Sequence, residues 1–289
     1  MTTRDDLKVL RRAYAKQILA VRGLADARIE AAFAAVPREA FLGRGPWPIL
    51  RMMAGYVTTP SADPVFLYSD DLVGLLPERQ LNNGQPSLHA FLLHEAMPCP
   101  GEHLVHIGAG TGYYSAVMAE LVGPAGRVTA VEFDPELAAQ AEANLADRPN
   151  VTVLAGDGAT LPFDPADVVY VNAGATRPAD LWLDRLRHGG RLVLPLTTDA
   201  NFNQSSPGNL ARRGAIFLIT RADEHFGARW ISPVGIFPCA GARDPESEAA
   251  LAAALENEGW EKVARLYRRD DLPEDRCWLR APGWCLAYA

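Results

Sequence analysis

The chain has 289 residues and is short of several things, each of which closes off a class of function. Its four cysteines, Cys99, Cys239, Cys277 and Cys285, include no CxxC pair. Usage this sparse predicts reduced thiols in a cytosolic protein, serving mostly as packing groups. No apolar run approaches the roughly 18 residues of a membrane span. The opening MTTRDDLKVLRRAYAKQ has two early aspartates where a secretory leader would carry an apolar core. A cytoplasmic protein with no membrane partner is therefore expected. Positive charge is not in excess either. The net charge of −7 argues against nucleic acid as a partner, and the runs RLRHGGR and RLYRRDD read as solvated ends of elements. The six histidines are scattered. His89 and His94, five apart, stand about 140° apart on a helix, unlike ligands at i and i+4. No metal is expected, and His89, one turn on from Gln85, is left either near a substrate or in the core.

What is present is a regular alternation. Leu7, Leu10, Tyr14, Ile18 and Val21 recur at steps of three and four, which predicts an amphipathic first helix, and ADARIEAAFAAVPREAF predicts a second, stopped by Pro37. Residues 45–85 read as loop with short apolar pieces, and PSLHAFLLHEAM as a helix opening on proline. From residue 103 to 196 strands and helices alternate: HLVHIG, helix 113–122, RVTAVEF, helix 135–146, VTVLAG, DVVYVNAG, helix 178–187 and RLVLPL. This predicts an α/β Rossmann-like fold with a mostly parallel central sheet covered on both faces. Residues 197–212 read as a polar loop, GAIFLITR and FGARWISPVGIFPC as antiparallel closing strands, and the tail as a helix followed by strands. The expected organisation is a helical cap with a substrate loop at 1–100, a nucleotide-type core at 101–241, and a C-terminal extension at 242–289.

The strand-to-helix turn in HLVHIGAGTGYYSA narrows the cofactor. A phosphate loop needs Lys followed by Ser or Thr after its glycines, which this turn lacks. The dinucleotide fingerprint needs glycine at positions one, three and six, and position six here is Tyr113. The glycines run instead Gly108, Gly110, Gly112, the spacing of an adenosylmethionine turn. Glu132 ends the next strand 20 residues after Gly112, where a carboxylate grips both ribose hydroxyls. Asp157, after the third strand, is placed to accept from an adenine amino group. Asn172 ends the fourth strand, either at the transfer site or as a turn residue bonded to its own backbone. Tyr113 lies along the methionine moiety or packs the helix start.

The stretches AAFAAVPREAFL, GQPSLHAFLLHEAMPCPGEHLVHIGAGTGYYSAVMAELVG, NVTVLAGDGA, LRHGGRLVLPL and WISPVGIFPC, in that order over about residues 25–240, resemble the protein-L-isoaspartate O-methyltransferases. The resemblance implies transfer of a methyl group from S-adenosylmethionine to a carboxyl oxygen of a protein or peptide. A carboxylate is already a nucleophile and a sulfonium methyl is already activated, so alignment and exclusion of water suffice without a general base. It also implies that Asn83, Gly84, Gln85 and Ser87 line the acceptor side, and that His106 and Tyr113 join Gly108, Gly110, Gly112, Glu132 and Asp157 around the cofactor. Two positions depart from the family's pattern. Gly84 stands where its T-I-S-Q-P loop carries serine, and His106 where a glutamate faces the methionine end. A protonated His106 would repel the cofactor's cationic groups, so affinity is expected to fall with pH if it faces them. Flat affinity over roughly pH 5.5–8 would place it elsewhere. The departures keep two alternatives open: the same fold acting on a small molecule or another peptide, and a homologue that binds the cofactor without turnover.

Overall fold

A computed structural model describes residues 2–51, 54–199 and 212–289. Most of the loop expected at 197–212 lies outside the described residues. The chain divides into two compact units, Met1–Glu102 with Ala109–Gly156, and His103–Gly108 with Asp157–Ala289.

The first unit opens with α1 (Arg4–Ala20), started by a capping box in which Thr3 and Asp6 satisfy each other's backbone N–H, and buries Tyr14, Ala15, Ile18 and Leu19. In α2 (Ala27–Ala35) the Asp26 carboxylate accepts from the N–H groups of Arg28 and Ile29. Residues 45–85, expected as loop, hold two small antiparallel ribbons. One pairs β1 (Pro48–Arg51) with β2 (Gly55–Thr58), the other β3 (Gly74–Leu76) with β4 (Leu81–Asn82). They enclose Leu42, Trp47, Ile49, Leu67 and Val73, with Leu75 against them. Strands of two to four residues are too short to display a period-two pattern, which is why the sequence reads as loop. Next comes α3 (Pro86–Ala96), with proline in its first turn as expected and left-handed Met97 ending it.

The chain then makes β5 (His103–Ile107) in the second unit and returns for α4 (Tyr113–Val122), β6 (Arg127–Glu132), α5 (Pro135–Asn144) and β7 (Val151–Ala155). Strands β6 and β7 run parallel, Val128 beside Val151 and Glu132 beside Ala155. The rest of the second unit is β8 (Ala166–Val171), α6 (Asp180–Asp184), β9 (Leu186–Thr197), β10 (Gly214–Ala222), β11 (His225–Pro233), α7 (Pro245–Glu256), β12 (Val263–Tyr267), β13 (Cys277–Ala281) and β14 (Trp284–Tyr288). Its strands lie in the order β5-β8-β9-β10-β11-β12-β14-β13, the first three parallel and the remainder antiparallel. This is the expected architecture of parallel centre and antiparallel closing strands, and the C-terminal extension continues the same sheet. The helix expected at 178–187 stops at Asp184. Leu186 already pairs with Ala166, and Arg221 Nη1 donates to the Leu186 carbonyl at 2.7 Å, drawing the chain into β9. No helix among the described residues is long and apolar enough to cross a membrane.

Candidate functional site

In the first unit the glycine turn is built on backbone that side chains would block. Gly110 and Gly112 sit at φ +57° and +93°, and Gly112 N–H donates to the Ala109 carbonyl at 3.0 Å. A Cβ on Gly112 would lie 2.7 Å from Leu145 Cδ1, and one on Gly110 3.2 Å from Leu75 Cδ1. Both φ values are ones that L side chains rarely adopt. Glu132 is 8% exposed and closes the turn, its Oε2 accepting from Gly110 N–H at 2.6 Å and its Oε1 from Asp134 N–H at 2.9 Å. Burial raises its pKa, and these backbone bonds only partly offset the shift. The N–H of Phe133 bonds to it as well, and a carboxylate with about four acceptor sites still has capacity for a ligand hydroxyl. Arg79 pairs with Asp134 at 2.5 Å and holds that carboxyl below its usual range, so the cap of α5 stays charged.

The Tyr113 ring is fully buried among Phe33, Phe41 and Tyr114, with the Arg38 guanidinium 5.9 Å over its face. The ring thus packs the start of α4.

The substrate loop resolves into distinct roles. Asn82 Oδ1 accepts from Gly84 N–H at 2.9 Å, an Asx turn that fixes Gly84 at φ +75°. Gln85 Nε2 and Ser87 Oγ donate to Asp70 Oδ2 at 2.9 and 2.7 Å, and Ser87 N–H donates to Asp70 Oδ1 at 2.6 Å. Gln85 and Ser87, expected to line the acceptor side, are thus both held by Asp70. The reason is local: Gln85, just before α3, gives the helix no cap from its own side chain, so an aspartate from elsewhere in the chain caps it. That missing Ser, Thr, Asp or Asn before Pro86 was the one signal in the sequence that a distant cap was needed. The 67–71 segment carrying Asp70 is in turn held by buried Arg38, whose guanidinium donates to the carbonyls of Leu67, Ser69 and Asp71 at 2.6, 3.0 and 2.9 Å.

His89 is 2% exposed and stacks on Tyr114, the centroids 3.6 Å apart and the planes at 17°. Its imidazole explains the departure at Gly84: a Cβ there would lie 2.3 Å from His89 Nε2. The Tyr114 hydroxyl donates to the Gly84 carbonyl at 3.2 Å. Gly84→Ser should therefore displace the ring and strain the backbone at φ +75°, lowering the melting temperature, and adding His89→Ala should cost less in the Gly84→Ser background than in the wild type. A melting temperature unchanged by Gly84→Ser would refute the steric account.

In the second unit Gly108 sits at φ +78°, and a Cβ there would approach the Asn172 carbonyl oxygen to 3.0 Å. Asn172 Nδ2 donates to the Gly108 carbonyl at 3.2 Å, so this residue buttresses the turn's first glycine. Asp157 Oδ1 accepts from Ala159 N–H at 2.9 Å, and its carboxylate lies against Gly241, where a Cβ would meet both oxygens at 2.0 Å. Gly241, like Asp70, went unrecognised in the sequence; a glycine in irregular chain carries no pattern.

His106 is fully buried with its ring edge-on to Tyr170, centroids 5.6 Å apart. Burial lowers its pKa from 6.5 to about 3. The expected titration of cofactor affinity is therefore corrected: this ring stays neutral over roughly pH 5.5–8, and a flat profile no longer says where it points. The titration appears in stability instead. The unfolded chain takes up a proton at His106 that the folded chain refuses, so stability falls as pH drops below 6.5 and keeps falling toward about 3. Between pH 7 and pH 5 the protein should lose about 2 kcal/mol more than His106→Asn does, measured by denaturant titration. Equal losses would show that the imidazole is not held neutral.

Among the described residues no group of three His, Cys, Asp or Glu could hold a metal. Against known proteins, the family profile described as Protein-L-isoaspartate(D-aspartate) O-methyltransferase matches residues 15–209. A protein-L-isoaspartate O-methyltransferase of Thermotoga maritima is 31% identical over 212 residues, covering 72% of this chain and 59% of that protein. One of Methanopyrus kandleri is 36% identical over 205 residues, covering 66% of this chain and 80% of that protein. A solved structure of a protein-L-isoaspartate O-methyltransferase superposes with a TM-score of 0.64 at 27% identity, over 85% of this chain and 68% of that one.

Proposed function

Given that the chain belongs to the protein-L-isoaspartate(D-aspartate) O-methyltransferase family, we propose that it methylates a carboxyl oxygen of a protein or peptide with S-adenosylmethionine as donor. The observation that carries this reading is the Glu132 carboxylate bonded to the N–H of Gly110, inside a turn whose positive φ at Gly110 and Gly112 disfavours side chains. Those residues fit the cofactor: bare backbone admits the amino-acid end, and a buried carboxylate with spare lone pairs suits a ribose diol. When bound, the cofactor supplies an activated methyl group. In the first unit Gly110 and Gly112 would hold its methionine end and Glu132 its ribose. An anionic acceptor needs no base, which leaves the chain to orient the acceptor and keep water out.

The test uses the full chain, labelled cofactor and an isoaspartyl peptide. A base-labile methyl ester is expected, with a rise in melting temperature on adding adenosylhomocysteine and none on adding NAD. Cofactor binding without any ester would move the assignment to a different acceptor.

A further inference from the structure

The antiparallel half of the second unit's sheet carries its helices on one face. Arg221 of β10 donates to the carbonyls of Leu183 and Asp184 in α6, and Trp284 of β14 donates to Ser247 of α7 at 3.3 Å. Register joins these contacts: Arg221 is opposite Phe226, Phe226 opposite Leu266, and Leu266 opposite Leu286, two residues from Trp284. Side chains alternate along a strand, so the neighbouring row belongs to the other face.

That row is Arg191 of β9, Thr220, Gly227, Arg265 and Ala287, each opposite the next across five strands. Strands lie about 4.8 Å apart, which separates Arg191 and Arg265 by roughly 14 Å, about four residues of extended chain. Arg229 follows Gly227 by two residues, and Arg280 pairs with Cys285, two residues before Ala287, so both share this face. Thr220, Gly227, Arg229, Arg265 and Arg280 are all exposed. Between the arginines the floor is low: a Cβ on Gly227 would meet only the Thr220 carbonyl oxygen, 3.8 Å away. Strands β9 to β14 contain no aspartate or glutamate at all. In a chain of net charge −7, this face therefore has a field of the opposite sign.

We infer that the face docks a short acidic polypeptide segment laid across the strands, its carboxylates taken by Arg265 and Arg280. Arginine suits the task, because its planar fork meets both oxygens of a carboxylate. Arg280 donates to a carbonyl, that of Leu272 at 3.3 Å, which leaves its charge unneutralised. The border selects the partner. Exposed Asp223 and Glu224 in the β10–β11 turn, with Asp270 and Asp271 after β12, stand at one end of these strands. A nucleic acid, charged at every phosphate, meets that acidic border as well as the arginines. A segment of a few residues crossing the strands lies clear of it. Binding here is independent of the methyl-transfer reaction proposed above.

The experiment follows a fluorescein-labelled octaglutamate peptide by anisotropy with the full chain. The wild type should bind it saturably at about 50 mM salt and several-fold more weakly at about 200 mM. Arg265→Glu should weaken binding about tenfold, and Arg265→Glu with Arg280→Glu should abolish it. Arg265→Gln removes a charge without adding one, should show a smaller loss in the same direction, and serves if the reversal disturbs the sheet. Arg12→Glu, on an exposed position of α1, changes the net charge equally and should leave affinity within about twofold. No saturable binding by the wild type, or equal weakening by Arg12→Glu and Arg265→Glu, overturns the proposal. Tighter binding of a single-stranded octanucleotide than of octaglutamate also overturns it, and makes the face a nucleic-acid site.

Discussion

Glu132→Ala should weaken adenosylhomocysteine binding by about a hundred- to ten-thousandfold, read by calorimetry or by loss of the ligand-induced thermal shift. Two hydrogen bonds from a ribose diol to a buried carboxylate are worth about 1.5–3 kcal/mol each, and alanine removes both. It also frees Gly110 N–H, which the Oε2 atom holds at 2.6 Å, so the turn loses its lock as well as its ligand contact. Glu132→Gln keeps the shape but turns one acceptor atom into a donor, and an intermediate loss is expected. The pH dependence separates the charge from the shape. Burial raises the Glu132 pKa above the ordinary 4.5, so the carboxylate protonates earlier on acidification than an exposed glutamate would. Affinity should fall with pH from above that value in the wild type and stay level in Glu132→Gln. Equal affinity of wild type and Glu132→Ala would remove the ribose role.

Arg38→Met should cost about 3–5 kcal/mol of stability and lower the melting temperature by roughly 10 °C. The guanidinium is fully buried and donates to three carbonyls, those of Leu67, Ser69 and Asp71. Methionine fills much of the volume and leaves each carbonyl without its donor. Arg38→Lys should recover little, because one ammonium cannot reproduce a planar fork that serves three acceptors. The damage extends to the acceptor loop. Asp70 lies between two of the three stapled residues and is the partner of Gln85 and Ser87. The KM for peptide should therefore rise in the surviving folded fraction, while adenosylhomocysteine binding changes less. A melting temperature within about 2 °C of wild type would show that Arg38 is not the staple.

Much of this was legible in the residues, and the boundary has physical causes. The alternation of β5 through β9 could be read because each strand is a short apolar run bounded by turn residues. The glycine spacing and Glu132 could be read because a strand–turn–helix unit fixes how far apart they fall. Roles that depend on long-range contact could not. Asp70 is one of two adjacent aspartates in a Pro- and Gly-punctuated stretch, and nothing local says that it caps a helix 17 residues on. Ser87 and Gln85 show their polarity in the sequence, but not their partner Asp70. His89 against Gly84 escapes a helical wheel, which compares side chains on one helix and ignores the loop that precedes it. At His106 the sequence displays an ionisable ring, but only burial decides whether it ionises.

The cap that Asp70 places on α3 ties events that would otherwise be separate. Arg38 holds the 67–71 segment, that segment holds the first turn of α3, and the turn is continuous with Gly84 and Asn83. Breaking the bonds to Asp70 would leave the N–H of Ser87 without its acceptor, so the 67–71 segment and the start of α3 should lose order together, their amides exchanging hydrogen in step although they lie far apart in sequence.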